Sequence, residues 1–200
     1  DHNTGRGLYI EDATVTMSGK AGIYNDQLCG NIYVSEKGKL TIAEGWTGKT
    51  SAAWAAEVPP YGAAINEENA AATGSFTGTL VYDYDQLQPR VYAEEGKLML
   101  PGMLLRKNDG TFSWYITDAD ALEAHLAAEG SHLQVMANGR AFEIPEGKTL
   151  VLDVNGKQVT VTGSGTLRGM DSANDTYKTF GTATVTGPTL VNSLDTVVEG

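Results

Sequence analysis

The sequence predicts a mainly β protein in which a β-solenoid is followed by a smaller, helix-initiated β-rich module. Three observations support this prediction. Apolar and polar residues alternate along much of the N-terminal half, as in strands that bury one face. Similar strand pairs recur after 24 or 25 residues. A single well-capped helix then follows, and further alternating segments come after it.

Two segments at the N-terminus share one design. GLYIEDATVTMSG alternates cleanly, and GNIYVSEKGKLTIAE repeats the pattern. Tyr9 and Tyr33 lie 24 positions apart, and Met17 and Ile42 lie 25 apart. A period of this length, with a strand–turn–strand unit, is typical of a solenoid, because each unit must cover the open edge and apolar face of its neighbour.

One short phrase occurs three times: EKGKLTI, EEGKLML and PEGKTLVL. We interpret it as a turn that enters a strand, because glycine permits a tight corner while the lysine and the acid stay in solvent. The lysines predicted to be exposed are Lys39, Lys97 and Lys148. The residues predicted to fill the core are Leu40, Ile42, Leu98, Leu100, Leu150 and Leu152.

The pattern is interrupted between residues 45 and 79, where an inserted loop is predicted. This stretch is rich in alanine and glycine and contains the pair Pro59-Pro60, with candidate short strands at Thr50–Trp54 and Gly62–Ile65. Strands are predicted to resume at Leu80–Tyr84, Arg90–Ala93 and Lys97–Leu100.

The turn-forming pair Asp109-Gly110 marks a change of pattern. We therefore predict a solenoid block over residues 1–107 and a second module over residues 111–200. The second module opens with TDADALEAHLAAEG, a helix with Thr117 as N-cap and Gly130 just past its end. The residues expected on its buried face are Ala119, Leu122 and Leu126. Two Asn-Gly pairs follow, at 138–139 and 155–156, and by themselves predict tight hairpins.

Charge and hydropathy restrict the partners. The chain carries 14 Lys+Arg against 25 Asp+Glu, a formal net charge of −11, and no basic cluster, which argues against nucleic acid. No apolar run approaches the roughly 20 residues that span a bilayer, so no membrane insertion is predicted within this segment. No signal-peptide pattern is present, and the chain begins with Asp1, which we interpret as the start of a piece of a longer protein. Cys29 is expected to be a buried structural thiol.

These segments resemble the right-handed parallel β-helices of large secreted surface proteins of gut Firmicutes. GLYIEDATVTMSG and GNIYVSEKGKLTIAE resemble rungs of such helices. The stretch from ITDADALEAHLAAEG to LVLDVNGKQVTVTGSGTL is similar to the segment that opens β-helical modules there, where a short helix caps the first rung, and GMDSANDTYKTFG resembles the tail that follows. The resemblance implies that residues 1–107 are C-terminal rungs of a right-handed parallel β-helix. It also implies that at least one Asn-Gly pair is a solenoid corner.

Parallel β-helix proteins include polysaccharide lyases and glycosidases, so clustered carboxylates matter. Asp83 and Asp85 in YDYDQ share a strand face. An acidic outer face opposite the tyrosines Tyr82 and Tyr84 explains them fully, and we predict no catalytic residues. His125 is interpreted as a boundary residue of the helix rather than as a base.

Two groups are candidate binding sites. The loop DSANDTY brings together Asp171, Asn174 and Asp175, whose oxygens suit Ca²⁺, although such residues are equally favoured as turn formers. Trp46, Trp54 and Tyr61 fall within the irregular stretch and suit stacking on a sugar or a protein surface. The alternative is that these rings plug the open end of the solenoid.

The function predicted from these observations is a non-catalytic structural or adhesive segment of a secreted or cell-surface bacterial protein. Its partner would be a host or cell-wall glycan or a protein, and no cofactor is expected. Two alternatives remain open. The chain could be a support or binding module of a β-helical carbohydrate-active enzyme, of the polysaccharide lyase or glycosidase class. It could also be a glycan-binding module that uses the aromatic residues named above.

Overall fold

The protein is mainly β, as predicted. A computed structural model describes residues 7–23, 31–55, 59–83, 87–169, 181–191 and 196–199. Within these ranges it contains nineteen strands and one helix. The chain divides into two compact units, Asp1–Pro101 and Gly102–Gly200.

The first unit contains two sheets. Its strands are β1 (Leu8–Ile10), β2 (Thr14–Met17), β3 (Ile32–Val34), β4 (Lys39–Ile42), β5 (Lys49–Trp54), β6 (Ala70–Ala72), β7 (Thr79–Tyr82), β8 (Arg90–Glu94) and β9 (Lys97–Met99). Strands β1, β3, β5 and β7 pair in parallel in one sheet, and β2, β4 and β6 pair in parallel in the other. Up to β7, therefore, the chain alternates between the two sheets, and each strand pairs with the strand two places along.

The recurrence seen in the sequence is the register of these ladders. Tyr9 is the register partner of Tyr33, and Met17 is the register partner of Ile42. Register partners direct their side chains to the same face of a sheet, so inward residues of successive strands stack on one another. The stacked apolar residues form the core of the unit.

A buried asparagine stabilises one corner of this unit. Asn69 is 3% exposed, and its Nδ2 donates to the carbonyl oxygens of Glu36 and Gly38, both at 2.8 Å, and of Ser35 at 3.2 Å. These carbonyls belong to the turn that precedes β4. A Cβ atom at Gly38 would collide with the carbonyl oxygen of Ile10, which explains the glycine of the first repeated phrase.

Residues 45–79 are more regular than the predicted inserted loop. β5 extends the parallel ladder from β3 to β7, and β6 pairs with β4. The candidate strand Gly62–Ile65 contributes only an isolated bridge between Ala64 and Met99. No strand was predicted at β6, because its three residues are alanines and alanine has little strand propensity.

The first unit ends in antiparallel pairing, which differs from the prediction of parallel rungs up to residue 107. β8 pairs antiparallel with β7 and with β9. The turn between β8 and β9 places Glu95 at φ +49° and Gly96 at φ +81°, as a two-residue hairpin turn with two positive φ angles requires. The second copy of the repeated phrase is therefore a hairpin, whereas the first connects two different sheets.

The second unit also contains two sheets and carries the only helix among the described residues. Its elements are β10 (Met103–Arg106), β11 (Phe112–Tyr115), α1 (Asp118–Ala127), β12 (His132–Val135), β13 (Arg140–Ile144), β14 (Thr149–Asp153), β15 (Gln158–Gly163), β16 (Thr166–Gly169), β17 (Gly181–Thr186), β18 (Thr189–Val191) and β19 (Thr196–Glu199). Strands β12, β14, β16 and β18 pair in parallel in one sheet, and β13, β15, β17 and β19 in the other. β10 pairs antiparallel with both β11 and β12.

Both Asn-Gly pairs are corners between sheets, so the local prediction of hairpins is wrong. Asn138-Gly139 joins β12 to β13, and Asn155-Gly156 joins β14 to β15, and in each case the two strands lie in different sheets. Gly139, Asn155 and Gly156 have φ angles of +75°, +49° and +71°. A tight turn with positive φ angles can close a hairpin or form a corner between two sheets. The pairing of the flanking strands determines which of the two it forms.

The boundary between the units lies at Pro101–Gly102, before β10, and not at the Asp109-Gly110 turn. That turn is the hairpin loop between β10 and β11, and the Asp109 carboxylate accepts hydrogen bonds from the Thr111 N–H at 2.8 Å and the Thr111 hydroxyl at 2.6 Å. These two hydrogen bonds lower the pKa of Asp109. The Asp109-Gly110 pair, which the sequence analysis interpreted as the boundary between the two modules, is therefore a hairpin loop within the second unit.

The predicted helix and its cap are confirmed, but its buried face is different. The hydroxyl of Thr117 accepts a hydrogen bond from the Asp120 N–H at 3.1 Å. Ala119 is exposed and Leu126 is half-buried, whereas Ala121 and His125 are buried. A polar residue at the centre of the buried face made the face impossible to assign from hydrophobicity alone.

All six apolar residues of the repeated phrase are buried, as predicted. Of the three lysines, Lys148 is exposed, while Lys39 and Lys97 are partly buried. Both partly buried lysines contact Glu67: Lys39 Nζ donates to its carbonyl oxygen at 3.1 Å, and Lys97 Nζ lies 2.6 Å from its Oε1. The hydrogen bond and charge of Glu67 raise the pKa of Lys97.

Substitution of neighbouring residues in β9 tests this assignment of faces. Leu98→Ala is expected to lower the free energy of unfolding by about 2 to 5 kcal/mol, because it leaves a cavity in the core. Lys97→Ala removes an ion pair whose lysine and glutamate side chains are 43% and 60% exposed, so its effect should be much smaller. Urea denaturation of both variants measures the difference, and equal losses would mean that the faces are reversed.

Candidate functional site

The two tryptophans proposed as ligand-binding residues lie in the core. Trp46 is 0% exposed and its Nε1 donates to the Ala21 carbonyl at 2.6 Å. Trp54 is 1% exposed, donates to the Asn69 carbonyl at 3.2 Å, and stacks on Tyr82 with a centroid separation of 5.6 Å and an interplanar angle of 9°. In this structure neither indole has a face on which a sugar could stack. Their contacts are those of packing residues.

The other predicted site residues divide between described and undescribed parts of the chain. Tyr61 is half-buried and packs against the core of the first unit. Asp83 is also half-buried. The predicted positions outside the described residues are Cys29, Tyr84, Asp85, Asp171, Asn174 and Asp175. Within the described ranges, no group of three or more His, Cys, Asp or Glu residues is placed to hold a metal ion.

Exposed aromatic rings occur elsewhere, at positions that the sequence reading did not select. Among the described residues, the large apolar side chains classed as exposed are Tyr9 at 53%, Phe112 at 41% and Ile116 at 40%. Tyr9 stacks on its register partner Tyr33, with a centroid separation of 5.3 Å and an angle of 15°. The alternation of side chains along the strand could have predicted that Tyr9 is exposed, because it lies between the inward residues Leu8 and Ile10.

Phe112 belongs to a larger arrangement on the outer face of the second unit. Pairing places Phe112 opposite Arg106, Arg106 opposite His132, and Gln134 beside Asp153. Directly paired residues share a face, and this face is opposite the one that carries the core residues Leu105 and Leu133. We call the following set the aromatic–polar face: Leu104, Arg106, Phe112, Trp114, His132, Gln134, Asp153 and Arg168. Leu104, paired with both Trp114 and Gln134, is 0% exposed.

A row of hydrogen bonds crosses three strands of the aromatic–polar face. Arg106 Nε donates to Gln134 Oε1 at 2.9 Å, and Gln134 Nε2 donates to Asp153 Oδ2 at 2.9 Å. The Asn155 N–H donates to the other oxygen of Asp153, also at 2.9 Å. Each member fixes the orientation of the next, so the guanidinium and the carboxylate are held in defined positions.

The charged groups of this face are Arg106, Asp153 and Arg168; Arg168 lies there because it pairs with Val151, two residues before Asp153. The row contains one cation, Arg106, and one anion, Asp153. Burial lowers the pKa of the neighbouring His132, Asp153 raises it, and Arg106 lowers it further, with burial as the largest cause. His132 is therefore neutral at pH 7 and can offer a donor and an acceptor.

A second polar cluster, centred on His125, joins the helix to the sheet. His125 is 5% exposed, and its Nε2 accepts a hydrogen bond from the Val151 N–H at 3.0 Å. Nδ1 consequently carries the proton and donates to Ser131 Oγ at 2.8 Å, while the Ser131 hydroxyl donates to the Ala128 carbonyl at 2.7 Å. His125 is thus a buried structural residue and not the boundary residue predicted, and it provides an acceptor for a strand N–H of β14.

This cluster predicts a loss of stability in acid. Burial lowers the pKa of His125 from its ordinary value of 6.5, outweighing the effect of the Thr149 carbonyl, which raises it; His132 lowers it further. Below the ordinary pKa the unfolded chain binds more protons than the folded chain, so the free energy of unfolding falls as the pH decreases from 7 to 5. Protonation would also remove the acceptor of the Val151 N–H.

The test is chemical denaturation at pH 7 and pH 5, which measures the free energy of unfolding from a signal of the second unit. His125→Asn should cost about 1 to 3 kcal/mol at pH 7, since it leaves buried groups without partners, and should reduce the loss between the two pH values. His132→Gln is the control: burial also lowers the pKa of His132, so this variant should likewise reduce the loss between the two pH values, but it should cost little at pH 7, because the His132 ring makes no hydrogen bond to β14 among the described contacts. An unchanged pH dependence in His125→Asn would contradict the account.

Comparison of the chain with known protein families, curated proteins and solved structures finds no significant match in any of the three. The one helix among the described residues, α1, has 10 residues and is too short to span a membrane.

Proposed function

We propose that this chain is a non-catalytic structural or adhesive segment of a secreted or cell-surface bacterial protein, and that each unit is a portion of a right-handed parallel β-helix. The observation that supports the proposal is the alternation of the chain between two parallel-paired sheets, which occurs in both units. The resemblance to rungs of gut Firmicutes surface proteins is consistent with it.

This connectivity supports the proposal of a scaffold. In the described parallel ladders of each unit, each strand pairs with the strands two places before and after it in the chain. Such an array can be lengthened by adding strand pairs without changing its core, and it gives a stiff, extended surface. The net charge of −11 favours solubility and disfavours non-specific contact with anionic polymers.

The partner of such a segment would be a host or cell-wall glycan or a protein. The rival proposal, a support module of a polysaccharide lyase or glycosidase, rests on Asp83 and Asp85, of which only Asp83 is described. Burial of both tryptophans weakens the version of the glycan-binding alternative that depends on them.

Polysaccharide turnover separates the scaffold from the enzyme. The chain is incubated with pectin, alginate, xylan, mannan and hyaluronan, and new reducing ends and unsaturated products are measured over time. The proposal predicts rates equal to those of a heat-denatured sample. Turnover that disappears in the double variant Asp83→Asn, Asp85→Asn would overturn it in favour of catalysis by these carboxylates. Turnover that persists in that variant would place catalysis elsewhere in the chain and would equally overturn it.

A further inference from the structure

We propose that two copies of this chain associate through β11, by pairing their β11 strands antiparallel about a two-fold axis. β11 forms one end of the six-stranded sheet of the second unit, and among the described residues it pairs only with β10. The interface is the open edge of this strand, and its occupant is the same edge of a second copy. This inference goes beyond the scaffold proposal and does not depend on it.

The pairing with β10 determines which backbone groups of β11 point outward. The Lys107 N–H donates to the Thr111 carbonyl at 2.9 Å, so these two residues form a hydrogen-bonded pair. Every second pair of an antiparallel ladder is of this kind, so Ser113 also bonds to β10. Phe112 lies between Thr111 and Ser113, and its N–H and C=O groups therefore point away from β10. No partner for either group is found among the described residues.

The side chains at this edge are accessible. All four residues of β11 are exposed or half-buried, whereas three of the four residues of β10 are buried. Phe112 is 41% exposed, and Ile116, just past the strand, is 40% exposed. The helix that follows β11 packs on the core through Ala121, so it lies over the inner face of the sheet. Exposed apolar surface is thus concentrated at the edge that is open for pairing.

The sequence at this edge has none of the features that keep an exposed strand from pairing. Edge strands are commonly protected by charged side chains, proline, bulges or a covering segment. Residues 111–117, TFSWYIT, contain no charged residue and no proline. All of them except Ser113 are threonine, aromatic or β-branched residues that favour strands. A neutral strand of this composition is suited to pair with a further strand.

An edge strand of the other sheet of the same unit is protected. β13 is the first strand of the four-stranded sheet and carries two charged residues, Arg140 and Glu143. The Ala141 N–H donates to Asp118 Oδ2 at 2.8 Å, and Arg140 Nη1 lies 3.3 Å from Asp118 Oδ1. A carboxylate thus occupies a backbone donor of β13. The same unit therefore closes one edge with charged side chains and leaves the edge of β11 without them.

The charges at the two ends of β11 favour a second copy as the occupant. Arg106 and Lys107 adjoin its N-terminal end, and Asp120 lies in the first turn of α1, beyond its C-terminal end. Antiparallel pairing brings the basic end of one copy beside the acidic end of the other, twice in one dimer. Residues 102–120 carry two cations and three anions, so little net charge is brought together although the whole chain carries −11.

The size of the contact indicates a weak dimer. β11 provides four residues, which is far less than the roughly 800 Å² per partner that a stable complex buries. The Kd expected for such a contact lies between about 10 μM and about 1 mM. Display of several copies on one surface would raise their effective concentration and strengthen the association.

Sedimentation equilibrium of the full 200-residue chain, from about 10 μM to about 2 mM, tests the proposal. The mass should rise with concentration from 21.2 kDa toward twice that value. Phe112→Lys places a charge on the edge and should weaken association about tenfold or more. Phe112→Pro removes the outward N–H at the first residue of the strand, where proline is tolerated, and should act in the same way. Tyr9→Lys is the matched control and should associate as the unmodified chain does, because Tyr9 is an exposed ring on a terminal strand of the first unit.

Hydrogen exchange separates strand pairing from other kinds of association. The Phe112 N–H should exchange several-fold more slowly when the chain is dimeric, because pairing gives it an acceptor. The Ser113 N–H, which points toward β10, should change little.

Circular dichroism establishes that each variant is folded, and if Phe112→Pro is unfolded, Phe112→Lys decides. The proposal is overturned if the chain remains monomeric at the highest concentration, whether or not it binds an unrelated extended peptide. It is also overturned if a folded Phe112 variant associates normally, if Tyr9→Lys weakens association equally, or if exchange at Phe112 is the same in monomer and dimer. Each of these results would leave the scaffold proposal standing, because that proposal is tested by turnover.

Discussion

Parallel pairing between strands that are not consecutive in the chain is the constraint on which this structure depends. A strand in a parallel sheet cannot pair with the strand that follows it directly in the chain through a tight turn. Its backbone N–H and C=O groups must therefore bond to strands that lie further away in the sequence. Here Tyr9–Ile10 are paired with Tyr33–Val34, and Thr14–Met17 with Lys39–Ile42. A shift of one residue would expose every inward side chain, so the core and the register specify each other.

Antiparallel strands complete the parallel ladders at one end of each unit. In the first unit β8 pairs with β7, the last strand of its parallel ladder, and in the second unit β10 pairs with β12, the first. In both cases an edge that would present unpaired N–H and C=O groups is covered by a hairpin strand. His125 meets the same requirement, because its imidazole accepts a hydrogen bond from the backbone N–H of Val151 in β14. Polar side chains and hairpin strands therefore provide hydrogen-bond partners for backbone groups that the parallel strands leave unpaired.

Much of the fold could be predicted because the constraint is visible in the sequence. The recurrence of Tyr9 at Tyr33 and of Met17 at Ile42 gave true register partners, and alternation gave the buried leucines. The direction of the turns could not be predicted. Asn155-Gly156 and Glu95-Gly96 both use positive φ angles, yet one connects two sheets and the other closes a hairpin. Local turn chemistry does not contain that difference, which is set by the strands on either side.

The candidate site was harder to predict than the fold. Trp46 and Trp54 attracted attention because they occur in an irregular stretch, but large aromatic rings are also the most effective core residues. The aromatic–polar face is formed by strands that are distant in sequence, and Arg106, Gln134 and Asp153 have no recognisable spacing. Only the register brings them together. Strand parity could have shown that Phe112 and Trp114 share a face, but not which polar residues lie beside them.

Disulfide cross-linking tests the parallel register most directly. In a Cys29→Ser background, Thr16→Cys with Thr41→Cys joins two outward register partners of β2 and β4. Their Cα atoms are expected about 5 Å apart, within the range that a disulfide spans. The account predicts rapid cross-linking under mild oxidation with an unchanged circular dichroism spectrum. The offset pair Thr14→Cys with Thr41→Cys should cross-link poorly. Equal cross-linking of the two pairs, or none for the first, would contradict the parallel pairing on which the structure depends.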